Sequence, residues 1–245
     1  MRIATYNQMF ALDGTRLHST VLSYLSVNFR KKSDNIYAKA SIDRTAEVVV
    51  SSKADIVGIC EILEDHEGAL REKLFQIGYP YVFFANGHTK KYSKIGIMAA
   101  IASKFECKQI EVEGFPIKNT FYGGGGMVHC YIPKLDTNII HVHMAIPTKR
   151  KLYMRQIAFL QRYILKIEGK LILMGDFNMS FEKLGQFFDT LNLASCEIKT
   201  CSNTRWLKHI KFDDIDHIFV KGFKVEKSGA LEGYSDHRLI YSDLK

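Results

Sequence analysis

Eight polar side chains of this 245-residue chain lie at the ends of short apolar runs that are typical of β-strands. They are Asn7, Glu61, His143, Asp176, Asn178, Asp216, Asp236 and His237. Carboxylates, amides and imidazoles are the groups that bind divalent cations and transfer protons in enzymes. Because a strand end holds its side chains rigidly, several of these residues can converge at one edge of a sheet.

Taken one at a time, each residue also has an ordinary structural explanation. An Asp or Asn after a strand is usually a turn residue or a helix N-cap, and Asp176 and Asn178 in GDFN fit that description. His141 and His143 fall on the same face of a strand, where either can be a core histidine with satisfied hydrogen bonds. Only the set as a whole carries a functional prediction.

The elements that position these residues alternate between strands and helices. Helical spacing predicts helices over 67–78, 150–169 and 181–191. Since 79–145 contains strands without helices between them, the sheets should be mixed rather than purely parallel. The predicted strands are 2–7, 55–60, 80–85, 95–101, 127–132, 138–144, 170–175, 215–220 and 238–242.

The composition is that of a globular protein with a sizeable core, at 47% hydrophobic and 24% charged residues. No linker or repeat divides the chain, so we expect one α/β domain over residues 1–245. Two segments are predicted to be loops or embellishments. The first, 14–42, is polar and basic with a short helix at 16–27, and the second, 119–126, ends in four glycines.

The charge of the chain indicates the kind of partner it binds, and its cysteines indicate their redox state. Lys and Arg outnumber Asp and Glu by 34 to 26, and this basic surplus favours nucleic acid, phosphorylated ligands or anionic membrane. The five cysteines include no CxxC pair, which indicates reduced structural thiols. The chain has neither an apolar leader nor a run of about 18 apolar residues. We therefore expect a cytoplasmic protein that acts as a monomer.

Six short motifs contain the eight polar residues. In order and rough spacing they resemble the endonuclease/exonuclease/phosphatase superfamily, the group of DNase I and its relatives. The resemblance spans positions 5 to 240 and implies the DNase I-like fold, a four-layered α/β sandwich with two mixed β-sheets packed face to face and helices outside. The motifs are TYN (5–7), DIVGICE (55–61), HVHM (141–144), GDFN (175–178), IDHIFV (215–220) and SDHRLI (235–240).

The resemblance implies a divalent cation, Mg²⁺ or Mn²⁺. Glu61 matches the family's metal-binding glutamate, with Asn7 and Asp236 as its neighbours. Hydrolysis of a phosphodiester adds charge to an already anionic centre, and a hard cation suits that task. Mg²⁺ prefers one or two carboxylates while retaining waters.

The remaining motif residues take catalytic roles by the same resemblance. His237 matches the catalytic histidine and Asp216 the acid that orients it, since a carboxylate on one ring nitrogen fixes the tautomer and raises the basicity. Asp176 and Asn178 would align the nucleophilic water and hold the phosphate. His143 corresponds to a second histidine that donates to the phosphate oxygens.

Departures from the family pattern exclude some subfamilies. NQMFALDG does not match the exonuclease III type, and SNTRWLKHIKFDDIDHI lacks the P-x-W-x-D-R stretch of inositol polyphosphate 5-phosphatases. The extra residues of the DNA tyrosyl phosphodiesterase type are not evident, and the signal peptide of secreted sphingomyelinases is absent. Tyr6, Cys60 and His217 replace the usual Trp, Gln and aromatic residue, and we interpret His217 as a packing variant.

The sequence thus predicts a metal-dependent phosphodiesterase, a nuclease acting on DNA or RNA. The alternative is a phosphatase or phosphodiesterase of a small or lipid-like phosphoester that uses the same site. A silent binding module is disfavoured because all eight polar residues are present. Arg150, Lys151 and Arg205 are predicted to contact substrate phosphates.

Overall fold

Two β-sheets of six strands each form the centre of the protein. The computed structural model describes residues 1–12, 41–86, 97–111, 115, 126–194, 199–201 and 213–245. The strands are β1 (Arg2–Asn7), β2 (Ile56–Leu63), β3 (Tyr81–Asn86), β4 (Ile97–Ser103), β5 (Lys108–Glu111), β6 (Gly126–Ile132), β7 (Thr137–His143), β8 (Lys170–Asp176), β9 (Asn192–Leu193), β10 (Asp216–Lys221), β11 (Val225–Leu231) and β12 (Leu239–Leu244).

Both sheets are mixed, as the sequence predicts. The first has the order β11-β12-β1-β2-β4-β3, and the second has the order β5-β6-β7-β8-β10-β9. Each contains one parallel pair, β1 with β2 and β7 with β8, among antiparallel neighbours.

The sheets face each other because alternate residues of the central strands are apolar and point inward. The residues that alternate with these along each strand, such as Val57 and Leu173, point outward and belong to the clusters beneath the helices. The inward side chains form one buried cluster that includes Ile3, Ile56 and Ile101 of the first sheet and Ile139, Ile172 and Ile218 of the second.

Helices cover the outer faces and complete the four layers. On the first sheet lie α1 (Ile42–Ser52) and α2 (Glu67–Gln76), which bury their apolar residues in the same cluster as the strands. On the second lies α3 (Arg150–Ile164), followed along the chain by the short α4 (Phe181–Leu184). No helix in the described ranges is long and apolar enough to cross a membrane. The predicted DNase I-like sandwich is confirmed.

All nine predicted strands are present, with bounds that shift by up to three residues. The helix predicted over 150–169 ends at Ile164, and the one predicted over 181–191 is reduced to α4 and a 3-10 turn, Gly185–Phe187. Most of the two predicted loop segments, including the helix at 16–27, lies outside the described residues. Only the start of α1 and Gly126, the first residue of β6, belong to described structure.

Apart from short 3-10 turns, one helix and three strands were not predicted. The α1 sequence contains three consecutive valines, which favour a strand by propensity but are helical here because one face packs on the first sheet. Strand β9 has two residues and β5 only four. Strand β11 is an edge strand with a register shift and exposed charges, so it lacks an alternating apolar pattern.

The sheet topology brings the polar strand ends to one end of the sandwich. The parallel pairs end together, since β1 runs beside β2 and β7 beside β8, with His143 opposite Asp176. The antiparallel β10 begins at that same end, with Asp216 opposite Asp176. Strand β12 is antiparallel to β1, so the residues that precede it also lie there.

Gly175 is required where β8 approaches β7. Its φ is +140°, and a Cβ at this position would lie 1.9 Å from the Val142 carbonyl oxygen. A side chain would therefore collide with backbone that cannot move without breaking the β7–β8 pairing. This explains the glycine that precedes Asp176.

We expect Gly175→Ala to destabilise the protein by about 3 kcal/mol or more, through the collision and the unfavourable φ. The matched control is Gly68→Ala in α2, where an added Cβ meets nothing within 4 Å. It should be neutral or stabilising by up to about 1 kcal/mol. Urea denaturation measures both, and equal stabilities for the two variants would contradict this account of Gly175.

Candidate active site

The predicted polar residues converge between the ends of the two sheets. Glu61 and Asn178 are partly exposed. The other six, which are no more than 9% exposed, are Asn7, His143, Asp176, Asp216, Asp236 and His237. Burying this many polar groups is costly unless they are paired or bind a ligand.

His237 and Asp216 form a buried pair. The His237 Nδ1 lies 2.8 Å from the Asp216 Oδ2, so the carboxylate fixes the ring orientation. The Nε2 is 4.0 Å from the Asp176 Oδ2. Burial, the largest single influence, would lower the pKa of His237, but the Asp216 carboxylate and the Cys201 side chain together outweigh it and raise that pKa well above its usual value.

The SDH motif is held by its own serine and by Tyr6. The Ser235 Oγ accepts a hydrogen bond from the His237 backbone N–H at 3.0 Å. The Ser235 N–H in turn donates to the Tyr6 hydroxyl at 3.1 Å. Tyr6, which replaces the usual Trp, is therefore a packing residue whose hydroxyl also positions the catalytic-histidine candidate.

Asp176 is held by two donors. Its Oδ1 accepts from the Asn178 backbone N–H at 2.8 Å and its Oδ2 from the Asn7 Nδ2 at 3.0 Å. Burial and the nearby Asp216 carboxylate nevertheless raise the pKa of Asp176 to about 7. At neutral pH this carboxyl group is therefore poised between its two protonation states.

Asn178 ties the end of β8 to the segment after β7. It has a left-handed φ of 54°, and its Nδ2 donates to the Met144 carbonyl at 2.9 Å. The Met144 N–H donates to the Asp176 carbonyl at 2.8 Å. These bonds fix Asp176 relative to His143. Phe177, between the two polar residues, is fully buried against Phe219.

His143 lies between two carboxylates. Its Nε2 is 3.7 Å from the Glu61 Oε1 and 3.7 Å from the Asp176 Oδ2. A ring nitrogen at this position can donate to an oxygen that enters between the acids.

Glu61 reaches the site because β2 contains a β-bulge. Between Ile59 and Ile62, β2 has one residue more than its partner β4, and Glu61 has a left-handed φ of 56°. The Gln8 Nε2 donates to the Glu61 carbonyl at 3.3 Å and supports the bulge. Bulges commonly re-aim a side chain next to an active site.

The environment of Glu61 fits a hard cation. Burial, and then the Asp236 carboxylate, raise the pKa of Glu61 to about 8. Two acids that repel each other in a confined, oxygen-rich site are relieved by a divalent cation. Among the described residues, candidate ligand atoms lie within 4.8 Å of one another in three groups, which are Asp176 with Asp216 and His237, Asp236 with Cys201 and His237, and Asp176 with Cys60 and His143. None of these groups contains Glu61, so the case for Glu61 as a ligand rests on its pKa and on the nearby Asp236 carboxylate.

His141 has the alternative role, that of a core histidine. It is fully buried, its Nε2 is 3.1 Å from the Thr5 Oγ1, and burial lowers its pKa to about 3. Only one ring nitrogen is satisfied, since the buried Nδ1 has no hydrogen-bond partner among the described residues. Gly58 leaves room for the ring, since a Cβ there would lie 2.1 Å from it. His217 is likewise a packing residue, with its Nε2 2.8 Å from the Met179 carbonyl oxygen.

Two contributors were not predicted from the sequence. The Thr200 Oγ1 accepts from the Asp216 N–H at 3.1 Å and helps to position the acid. Cys201 is buried beside His237, and burial raises the pKa of its thiol to about 12. Both lie outside the six motifs, so no local signal marked them.

Two of the three predicted phosphate-contacting residues are described by the structure. Arg150 and Lys151 are exposed in the first turn of α3, on the segment that follows β7. Arg205 lies outside the described residues.

Comparison with known proteins agrees with the fold and the motifs. A sequence model described as the Endonuclease/Exonuclease/phosphatase family matches residues 26–237. The chain therefore belongs to the endonuclease/exonuclease/phosphatase family. Members of this family are phosphoric ester hydrolases that typically use a divalent metal ion. A search of curated proteins gave no significant match.

Solved structures share the fold at low sequence identity. A family protein from Leptotrichia buccalis C-1013-b is 17% identical with a TM-score of 0.68, covering 100% of this chain and 99% of its own. One from Beutenbergia cavernae DSM 12333 is 15% identical with a TM-score of 0.72, covering 100% and 71%. D. rerio TDP2, complexed with single strand DNA product, is 12% identical with a TM-score of 0.66, covering 100% and 98%.

We expect Glu61→Gln to stabilise the metal-free protein at high pH. The folded pKa of Glu61 is about 8, against about 4.3 when unfolded. Because the native state binds more protons between these values, stability falls as pH rises through that window. The neutral side chain should recover on the order of 1–3 kcal/mol above pH 8.

Urea denaturation in EDTA, repeated with Mg²⁺, measures the effect. The control Glu72→Gln, on the exposed face of α2, should leave the pH profile unchanged. Added Mg²⁺ should stabilise the wild type and the control but not Glu61→Gln. Identical pH profiles for wild type and Glu61→Gln would show that Glu61 is not a strained carboxylate.

Proposed function

We propose that this protein is a Mg²⁺- or Mn²⁺-dependent phosphodiesterase that cleaves nucleic acid, and that its catalytic unit spans residues 1–245. The observation that carries the proposal is the convergence of four acids and two histidines at one end of the sandwich, with the His237–Asp216 bond at 2.8 Å. Membership of a family of phosphoric ester hydrolases supports the reaction class.

Glu61, assisted by Asn7 and Asp236, would hold the cation. When bound, the ion supplies positive charge to the phosphoryl oxygens and so stabilises the charge that builds up during attack. The Asn7 Nδ2 donates to the Asp176 carboxylate, and the Asn7 Oδ1 accepts from the Met9 N–H. These two bonds fix the plane of the Asn7 amide. It can therefore contribute an oxygen or a water contact without reorientation.

His237 takes the proton of the attacking water in this proposal. Because the His237 Nδ1 is hydrogen-bonded to Asp216, the Nε2 is the ring nitrogen that acts as the base. The raised pKa of His237 favours the protonated ring in the cation-free protein. That pKa would fall towards neutrality once Glu61 and Asp236 hold a cation, because like charges disfavour the protonated form.

The other residues orient the water and the phosphate. Asp176, held by Asn7 and by the Asn178 backbone, lies 4.0 Å from the His237 Nε2, close enough to align a water beside it. His143 would donate to a phosphoryl oxygen from the opposite side. Asn178 holds the Met144 segment in place and adds a neutral amide at the rim.

Nucleic acid is the proposed substrate for two reasons. The chain carries a net charge of +8, which favours a polyanion. A structural neighbour, D. rerio TDP2, was solved with single strand DNA product. Arg150, Lys151 and Arg205 are the proposed phosphate contacts.

A substrate panel tests the proposal. DNA and RNA are compared with phosphoinositide, sphingomyelin and bis(p-nitrophenyl) phosphate, each with Mg²⁺, Mn²⁺ or EDTA. Cleavage of nucleic acid that EDTA abolishes is expected. If only the small or lipid esters are cleaved, the nuclease proposal is wrong and the small-phosphoester alternative holds.

We expect His237→Ala and Asp176→Ala each to lower kcat at least about a hundredfold, within the range that a positioned acid–base group contributes. The matched control is His129→Ala, which removes a buried histidine that contacts Tyr163 and Asn138 on the outer side of β6. The control should lose stability but keep kcat within a few-fold. Loss of less than tenfold in both site variants would contradict the assigned roles.

A further inference from the structure

The helix α3 and its flanks carry only positive charges. Between Asp136 and Glu168 the sequence contains no acidic residue. The cations of this stretch are Lys149, Arg150, Lys151, Arg155, Arg162 and Lys166. This is a local concentration of charge rather than the mixed pattern of an ordinary solvated helix.

Four of these cations form a stripe along the exposed side of α3 and the turn that follows it, where Lys166 lies. With successive helical residues 100° apart, positions 151, 155, 162 and 166 fall within about 60° of one another. All four side chains are exposed, and none forms an ion pair with a described residue. We call Lys151, Arg155, Arg162 and Lys166 the α3 stripe.

The stripe does not serve the stability of its own helix. The first turn holds two cations and no acid, which opposes the helix dipole. Lys151 and Arg155 are like charges four residues apart, as are Arg162 and Lys166, and such pairs repel. Only the two cations near the C-terminal end suit the dipole. A stretch that breaks local rules without a gain in the fold points to a function.

The first turns of α3 lie beside the proposed active site. The Tyr153 hydroxyl donates to the Phe177 carbonyl at 2.9 Å, within the GDFN motif. The Gln156 Oε1 accepts from the Ala145 N–H at 2.8 Å, two residues after His143. The first turns of α3 are thus bonded to the two segments that carry Asp176 and His143.

The dimensions suit a nucleic-acid backbone. From Lys151 to its last residue, Ile164, the helix rises by roughly 20 Å, at 1.5 Å per residue, and Lys166 lies two residues beyond that end. That length matches about six phosphates along one strand of a duplex. An anionic membrane fits less well, because binding in the plane of a bilayer needs a free apolar face. The apolar face of α3 is buried on the second sheet, which leaves Met154 and Leu165 as its large exposed apolar residues.

We propose that the α3 stripe binds the phosphodiester backbone of a nucleic-acid substrate beyond the proposed active site. The inference rests on the proposed function, since it extends the same bound strand along α3. It assigns Arg155, Arg162 and Lys166 a role in substrate affinity rather than in catalysis.

The test is duplex binding by Arg155→Gln/Arg162→Gln, a change that keeps helix propensity nearly constant. Fluorescence anisotropy in EDTA prevents cleavage, and the affinity is measured over a range of salt concentrations. The matched control, Lys134→Gln/Lys224→Gln, removes two exposed cations that lie outside α3, in the segments before β7 and β11. Thermal unfolding shows that each variant is folded.

The stripe variant should bind duplex DNA more weakly than the wild type, with a salt slope smaller by about 2. The Lys134→Gln/Lys224→Gln control should match the wild type. Equal affinities and slopes for the stripe variant and the control would overturn the proposal. So would a variant that loses binding to phosphatidylserine-containing phosphatidylcholine vesicles while keeping its duplex affinity.

Two different readouts separate this inference from the proposed function. The stripe is judged on binding without metal, whereas the function is judged on cleavage with metal. Duplex binding that depends on the stripe, in a protein that cleaves only small esters, would refute the nuclease function and the stripe's substrate role together. Nucleic-acid cleavage with unchanged binding by the stripe variant would refute the stripe alone.

Discussion

The crowding of carboxylates at one end of the sandwich is the constraint on which the site depends. Glu61, Asp176, Asp216 and Asp236 meet there, and burial disfavours the charged forms of Glu61 and Asp176. The result is visible in the pKa values of Glu61 and Asp176, which rise to about 8 and about 7. Such a cluster is stable in the charged state only with positive charge among the acids, which His237 supplies in part.

The architecture tolerates this cost because the polar residues occupy only the end of an otherwise apolar interior. Away from this end, the faces of the two sheets that point toward each other carry isoleucines, which form a continuous buried cluster. At the polar end, each side chain is fixed by a neighbour on another strand. Asn7 of β1 bonds Asp176 of β8, and Asp216 of β10 bonds His237 before β12. The two sheets therefore hold the site jointly, and neither could form it alone.

Sequence patterns could predict the central strands and the identity of the polar cluster, because both depend on short-range regularities. Apolar runs of strand length mark β1, β2, β7 and β8, and ordered motifs mark the residues at their ends. The helix α1 escaped prediction because the packing of one face overrides the strand propensity of its valines. Edge strand β11 escaped because no buried face imposes a pattern on it.

The finer features of the site depend on contacts between distant segments. The bulge that turns Glu61 into the site exists only because β2 pairs out of register with β4. Cys201 and Thr200 reach His237 and Asp216 from a segment without a motif. The distinction between His141 as a core residue and His143 as a site residue required the bond to Thr5. Sequence patterns predict which residues matter, and the structure shows how they are held.

The central claim is that this acid cluster holds a divalent cation beside Glu61 and Asp236. An anomalous difference map from crystals grown with Mn²⁺ tests it most directly. The account predicts a peak within coordination distance of the Glu61 carboxylate, lost in Glu61→Gln crystals grown under the same conditions. Well-ordered Glu61 and Asp236 side chains with no peak between them, or a peak unaffected by Glu61→Gln, would contradict it.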